Sequence, residues 1–466
     1  MKERMQKIST QSDNCHKKNR TESDSYCGVQ TFIGITENNL VEVQFTKEDL
    51  LERILSSSNL NTAYKQVVSN GGSGGVDNRE TEDLLPYLKL HKDELINSLR
   101  DGSYRPQPVL RVEIPKDGGK TRQLGIPTVV DRLIQQGISQ VLIPIYERQF
   151  HGNSFGFRPK RNAQGALRQA QNHVNAGYKY GVDLDLERFF DTVNHSKLIE
   201  ILSRTIHDGR VISLIHQYLI SGVVIGQKYE KTSKGVPQGS PLSPLLSNIM
   251  LNELDTELER RGHKFVRYAD DCMIFCRSKR GSMRVKASII RFIEDELYLK
   301  VNTDKTSAGY VRGMKFLGYS LYFSKGECRL CVHPTSYAKL KSKLKRLTGR
   351  SNGMGYEKRK QELRQFMRGW LEYFKLADMQ SRLQRIDEWL RRRLRMCIWK
   401  SWKNPRTRVR NLIRCGIDEW KAREWGWIKG YWRVAGSAVL HRSLTSEMLL
   451  KAGYPTLLSY SKLYRK

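Results

Sequence analysis

The stretch Phe265-Val266-Arg267-Tyr268-Ala269-Asp270-Asp271-Cys272-Met273-Ile274-Phe275 constrains this chain more than any other. Two β-prone, mostly apolar runs flank a pair of adjacent carboxylates, the pattern of a tight hairpin with acid at its tip. Asp is common in turns, so an isolated Asp-Asp reads first as a solvated surface turn. Between apolar strands the pair is harder to explain that way. Two neighbouring anions in such surroundings are costly unless a cation neutralises them.

A second acidic strand precedes it. Tyr180-Gly181-Val182-Asp183-Leu184-Asp185-Leu186 runs into Glu187-Arg188-Phe189-Phe190-Asp191. A period of two puts Asp183 and Asp185 on the same strand face, so spacing alone does not choose between them. Residues 176–320 read as β-α-β-β-α-β, a split antiparallel sheet whose last strand falls at Met314–Tyr319. That topology sets the end of the first strand beside the acidic hairpin tip. Carboxylates converging from two strands suit two divalent cations about 3.5–4 Å apart. Hard oxygen ligands make Mg²⁺ the natural ion, with Mn²⁺ as a substitute.

Charge points to the partner. The chain has 466 residues, enough for two or three domains, and Lys plus Arg number 81 against 48 Asp plus Glu, a net +33. Such an excess calls for a polyanion, most simply nucleic acid. No apolar run approaches the roughly 18 residues a membrane span needs, and the start lacks a signal-peptide core. The expectation is a cytoplasmic, nucleoid-associated protein without a membrane partner. Cys328-x-x-Cys331 has no second half-site for zinc, Cys272 and Cys276 read as core, and His195 reads as structural.

Residues 1–40 are polar, without apolar period, and read as a disordered extension. Gly71-Gly72-Ser73-Gly74-Gly75 has no Gly-Lys-Ser/Thr sequel, which excludes a P-loop; it reads as a mobile loop whose backbone approaches RNA phosphate. Residues 111–127 form a strand–Gly turn–strand hairpin whose Lys116 and Arg122 could grip a triphosphate. Gly235-Val236-Pro237-Gln238-Gly239 lets backbone come close to a ligand ahead of a helix. Beyond Pro334 basic residues recur with aromatics over three helices, the mixture that phosphate contact and base stacking require. The helix around Leu383, Ile386, Leu390, Leu394 and Ile398 carries Arg391, Arg392, Arg393 and Arg395 mostly on its flanks. Residues 401–466, basic and rich in Trp, have no fold assignable from pattern.

Taken together, residues 45–460 resemble a group II intron reverse transcriptase/maturase of the bacterial group IIC kind. Tyr268-Ala269-Asp270-Asp271 is similar to that family's acidic motif. The resemblance selects Asp185 over Asp183 as metal ligand and implies catalytic Asp185, Asp270 and Asp271, with the Leu186 carbonyl as a further ligand. It implies nucleotide binding by Lys116, Arg122, Leu186, Phe190, Gln238 and Lys305, with Phe190 excluding a ribose 2′-hydroxyl. Trp389–Lys400 is similar to the maturase signature, implying that Arg391, Arg392, Arg393 and Arg395 bind RNA. The expected fold is α+β, a right-hand polymerase: fingers at 41–175 with elements near 200–235, palm at 176–325, helical thumb or domain X at 335–400, and a basic maturase or DNA-binding region at 401–466. Expected partners are group II intron RNA, target DNA, an RNA template with primer, and deoxynucleotides.

No Cys pair lies beyond Cys331, so an HNH nuclease that cuts the second DNA strand is not expected. Two other readings stand beside this one: a splicing maturase with a vestigial polymerase, and a reverse transcriptase serving defence or spacer acquisition. The intact acids oppose the first, and the maturase-like tail is unexplained by the second.

Overall fold

The computed structural model describes residues 50–115 and 121–463; the expected extension at 1–40 and Lys116 lie outside them. In chain order the strands are β1 (Val109–Pro115), β2 (Thr121–Ile126), β3 (Tyr180–Leu184), β4 (Val223–Ile225), β5 (Lys228–Glu230), β6 (Lys264–Tyr268), β7 (Asp271–Cys276), β8 (Ser307–Tyr310), β9 (Lys315–Phe316), β10 (Tyr319–Ser324) and β11 (Glu327–Val332). The described chain divides into two compact units. One comprises residues up to 162, 188–254 and 297–299; the other comprises 163–187, 255–296 and 300 onward.

The first unit is built on helix Val129–Glu147, which buries Val129, Val130, Leu133, Ile134, Ile138 and Leu142. Its start is fixed by Thr128, whose hydroxyl accepts from the Asp131 N–H at 3.2 Å, the usual role of a Thr N-cap. Its four-stranded sheet runs β2-β1-β4-β5. β1 and β2 form the expected hairpin, with Leu110 opposite Ile126 and Ile114 opposite Arg122. The glycine run departs from expectation. Gly74 and Gly75 are buried, and a Cβ on Gly75 would stand 2.7 Å from the Thr128 backbone. Gly75 lets the chain lie against the start of the long helix, and Gly74 lets it fold back on the backbone of Asn78 and Arg79, so both serve packing.

The second unit holds a four-stranded sheet in the order β6-β7-β3-β8, with helices Ala163–Asn175 and Lys279–Asp295 packed on it. This is the expected split sheet with one correction. Its fourth strand is β8, with Asp183 opposite Ser307, and the Met314–Tyr319 stretch instead supplies β9 and the start of β10 in a separate three-stranded sheet. Ser307-Ala308-Gly309 has little β propensity; pairing along β3 makes it a strand. Cys272 and Cys276 are buried in β7 as expected.

A buried ion pair stands beside the β6–β7 turn. Arg267, on β6, donates from Nε to Asp255 Oδ1 at 2.7 Å and from a terminal nitrogen to Oδ2 at 2.5 Å. Both side chains are fully shielded from water. The third arm of the guanidinium donates to the Ala269 carbonyl at 3.0 Å, and Ala269 has φ 56°, an uncommon conformation for a residue with a Cβ. The clamp thus holds the turn that presents Asp270 and Asp271. Removing one partner strands a buried charge. Asp255→Asn is therefore expected to cost about 3–5 kcal/mol in urea unfolding. A cost below about 1 kcal/mol, the scale of an exposed pair, would contradict the clamp.

Candidate active site

In the second unit the strand register decides which acids meet. Leu184 lies opposite Cys272, so one further step sets Asp185 across from Asp271, where facing residues have Cβ atoms about 4.5–5.5 Å apart. Asp183, opposite Met273, shares that face. Asp270 occupies the tip beside them. The four carboxyls were all legible in the sequence, and the sheet brings them to one end.

Their electrostatics are unfavourable. Surrounding protein, and then the charges of Asp270, Asp183 and Asp185, push the Asp271 carboxyl up to about 7, with Lys315 opposing. Burial and the charge of Asp185 likewise push Asp183 up to about 6. Asp271 keeps an open edge to water, which screens part of the repulsion, so the direction of its shift carries the argument.

Asp185 is held at both ends. Its backbone N–H donates to the Thr306 hydroxyl at 3.2 Å, and that hydroxyl donates to the Asp185 carbonyl at 3.4 Å. Its carboxylate accepts from Lys305 Nζ at 2.7 Å. Lys305 therefore stands at the acidic centre itself. Asn302 N–H donates to the Asp185 carbonyl, and Glu187 N–H donates to the Lys300 carbonyl, both at 2.8 Å. These bonds flank the Leu186–Val301 bridge, so the Leu186 carbonyl turns away from Val301.

Do these groups fit a metal? Among the described residues no group of three or more His, Cys, Asp or Glu side chains is already gathered closely enough to hold an ion. The fit rests on chemistry: hard oxygens of a single charge sign, crowded enough to displace two carboxyl pKa values upward.

In the first unit, Arg122 Nε donates to Gln238 Oε1 at 2.9 Å, and Gln238 and Phe190 line one cleft with Arg111 and Lys234. Arg122, Gln238 and Phe190, far apart in sequence, are thus gathered on this unit. His195 is buried, and its Nε2 donates to the Gly235 carbonyl at 2.8 Å.

Arg391, Arg392, Arg393 and Arg395, four of the six arginines of helix Gln380–Ser401, are less open to solvent than their flanking positions suggest. Arg395 is only 4% exposed and donates to the Leu444 carbonyl at 2.8 Å. Arg393 donates to the Thr348 hydroxyl at 2.7 Å and to the Lys345 carbonyl at 3.0 Å. Arg392 stacks 4.1 Å from the Trp432 ring. These three tie helices together, because a guanidinium satisfies several carbonyls at once; Arg391 is half-buried near Asp387. Exposed cations of the neighbouring helix Pro334–Leu347 include Lys339, Lys345 and Arg346. Sequence reasoning missed Thr306, Lys315 and the Arg267–Asp255 clamp. Thr306 lies beside Lys305 and Arg267 beside Tyr268 of the acidic motif, whereas nothing in the sequence marked Asp255 as the partner of Arg267.

The reverse transcriptase (RNA-dependent DNA polymerase) family matches residues 114–321, and the group II intron, maturase-specific domain matches residues 337–416. The chain is similar to protein YkfC of Escherichia coli (strain K12), 32% identical over 58% of this chain and 82% of that one. It is similar to the group II intron-encoded protein LtrA of Lactococcus lactis subsp. cremoris, 31% identical over 61% of this chain and 58% of that one. A solved partial Cas6-RT-Cas1–Cas2 complex aligns over 54% of this chain and 43% of that one, at 24% identity and a TM-score of 0.35.

The raised carboxyl generates a stability test. Asp271 binds its proton more tightly folded, about 7, than at the ordinary 3.8, so stability falls as pH rises between those values. In cation-free protein, Asp271→Asn should raise Tm at pH 8, by roughly 2–4 °C per kcal/mol relieved, with little change at pH 4. Equal shifts at both pH values, or a loss at pH 8, would remove the repulsion from the account.

Proposed function

The chain belongs to the group II intron-encoded proteins that join a reverse transcriptase to a maturase domain, and from that premise we propose an RNA-directed DNA polymerase that also assists splicing of its intron RNA. The observation that carries the polymerase reading is the meeting of Asp185 with the β6–β7 acidic tip at one end of the second unit's sheet. Two divalent cations, Mg²⁺ by donor type, would neutralise these acids and activate the primer 3′-oxygen.

The chain's own groups then position. Asp185, Asp270, Asp271 and the Leu186 carbonyl are assigned as cation ligands. Thr306 fixes the Asp185 backbone, and Lys305 balances its charge and is assigned to the phosphates of the incoming deoxynucleotide. Arg122 and Gln238, already bonded to each other, are assigned to the nucleotide, as is Lys116. Phe190, lining the same cleft as Gln238, is assigned to exclude a ribose 2′-hydroxyl. Phosphoryl transfer needs little more from a protein than such placement and charge.

Fingers at 41–175 and near 200–235, a palm at 176–325, a thumb or domain X at 335–400 and a basic region at 401–466 follow as the domain assignment. The partners proposed are intron RNA, target DNA, and an RNA template carrying a primer at the insertion site. Intron RNA is assigned to the exposed face of helix Pro334–Leu347, since Arg392, Arg393 and Arg395 of helix Gln380–Ser401 are engaged within the unit.

Asp270→Asn with Asp271→Asn should abolish primer extension on an RNA template in Mg²⁺ while intron splicing continues. Loss of both activities would mean the acids serve the fold alone. For the maturase side, changing Lys339, Lys345 and Arg346 together to Ala should weaken intron RNA binding and reduce the slope of log affinity against log salt by about 0.7–0.9 for every phosphate no longer neutralised. Unaltered slope and affinity would place the RNA elsewhere.

A further inference from the structure

Segment 234–238 is the common anchor of the first unit's nucleotide-assigned residues. At one end, Val236 N–H donates to the Phe190 carbonyl at 2.6 Å and Gly235 N–H to the Val193 carbonyl at 2.8 Å, while Lys234 bridges Asn194. At the other, the Gln238 carbonyl accepts from Gly125 N–H at 2.7 Å and its side chain from Arg122. Gly235 has φ 94°, and a Cβ there would stand 3.0 Å from the carbonyl oxygens of Phe190 and Asp191. The segment is thus pressed flat on the single helical turn, Phe189–Thr192, that carries Phe190, at the limit of what backbone allows.

One buried side chain crosses this contact. His195, 6% exposed, opens helix His195–Ser203 just behind the Phe190 turn, and its Nε2 meets the Gly235 carbonyl at 2.8 Å. A carbonyl oxygen only accepts, so Nε2 carries the proton. The bond closes the segment onto the turn from the helix side, opposite in chain direction to the bonds at Val193 and Phe190. We propose that His195 is a positioning residue for nucleotide selection, acting through Gly235 to fix the spacing of Phe190 and Gln238. The inference rests on the polymerase reading of Phe190 and Gln238, and it adds a group that touches neither nucleotide nor cation. The bland alternative is a histidine that merely satisfies a buried carbonyl and supports the fold.

The two are separable. His195→Leu removes the donor and leaves the Gly235 carbonyl without its side-chain partner; His195→Gln keeps an N–H of similar reach. Tyr104→Phe, which deletes a hydrogen bond to the buried Asp131 elsewhere in the first unit, serves as a control for reduced stability alone. Each full-length protein is assayed by primer extension on an RNA template, reading KM and kcat for a deoxynucleotide and the ratio of deoxynucleotide to ribonucleotide incorporation. His195→Leu is expected to raise KM and lower sugar discrimination by about tenfold, the scale of one missing buried hydrogen bond, with kcat little changed. His195→Gln should restore both towards wild type, and Tyr104→Phe should alter neither. If His195→Leu leaves KM and discrimination unchanged, or if Tyr104→Phe matches its effect at equal loss of Tm, the positioning role is overturned and the fold role stands. If His195→Leu does not fold, His195→Ala takes its place: raised KM and lowered discrimination beyond those of Tyr104→Phe, restored by His195→Gln, support the inference, and wild-type values for both overturn it. A wild-type protein without incorporation would overturn the polymerase reading and this inference together.

Discussion

The structure of the second unit turns on like charges forced together. The register of β3 against β7, which runs to Leu184 opposite Cys272, leads Asp185 towards Asp271, and the tip adds Asp270. Left to themselves these groups would relax the turn outward into water. The Arg267–Asp255 pair opposes that. It is buried, bidentate, and spends its third donor arm on the Ala269 carbonyl. An ion pair of this kind is a weak source of net stability. Its value lies in fixing one conformation of the turn, with Ala269 held at positive φ and the acids displayed. Strain and repulsion concentrated at one point of an otherwise well-packed sheet are features that cluster at functional sites.

The first unit solves a different problem, the alignment of groups separated by more than a hundred residues. Arg122 comes from a hairpin, Phe190 from a turn after β3, and Gln238 from a glycine- and proline-rich segment. Backbone hydrogen bonds from that segment reach both the turn and the hairpin, so the three side chains share one rigid reference. Gly235 suits the segment because its φ of 94° strains any side chain and a Cβ would stand a tight 3.0 Å from two carbonyl oxygens. The buried His195 then reads as part of the same clasp.

Much of this was legible in the sequence because the chemistry demands particular residues at short spacing. Adjacent carboxylates between apolar strands announce a hairpin, and Asp183 and Asp185 announce a second acidic edge. The neighbourhood of the first acidic strand and the acidic hairpin followed from the same pattern. What was not legible depends on pairing. β8 was missed since Ser307-Ala308-Gly309 looks like loop until β3 binds it. Gly74 and Gly75 suggested mobility, but glycine serves equally for close packing, here against Arg79 for Gly74 and Thr128 for Gly75. The basic run 391–395 suggested an RNA surface; helix periodicity could not show that carbonyls from Thr348 and Leu444 would claim Arg393 and Arg395.

The central claim is that Asp185 and the acidic tip form one cation-binding centre. The most direct measurement is electron paramagnetic resonance of Mn²⁺ added to the protein with an RNA template, a DNA primer lacking a 3′-hydroxyl, and a deoxynucleotide. The predicted result is a spin-coupled pair of ions, as expected at a separation of about 3.5–4 Å, abolished by Asp185→Asn and by Asp270→Asn alike. Uncoupled Mn²⁺ signals that are indifferent to both substitutions would contradict it.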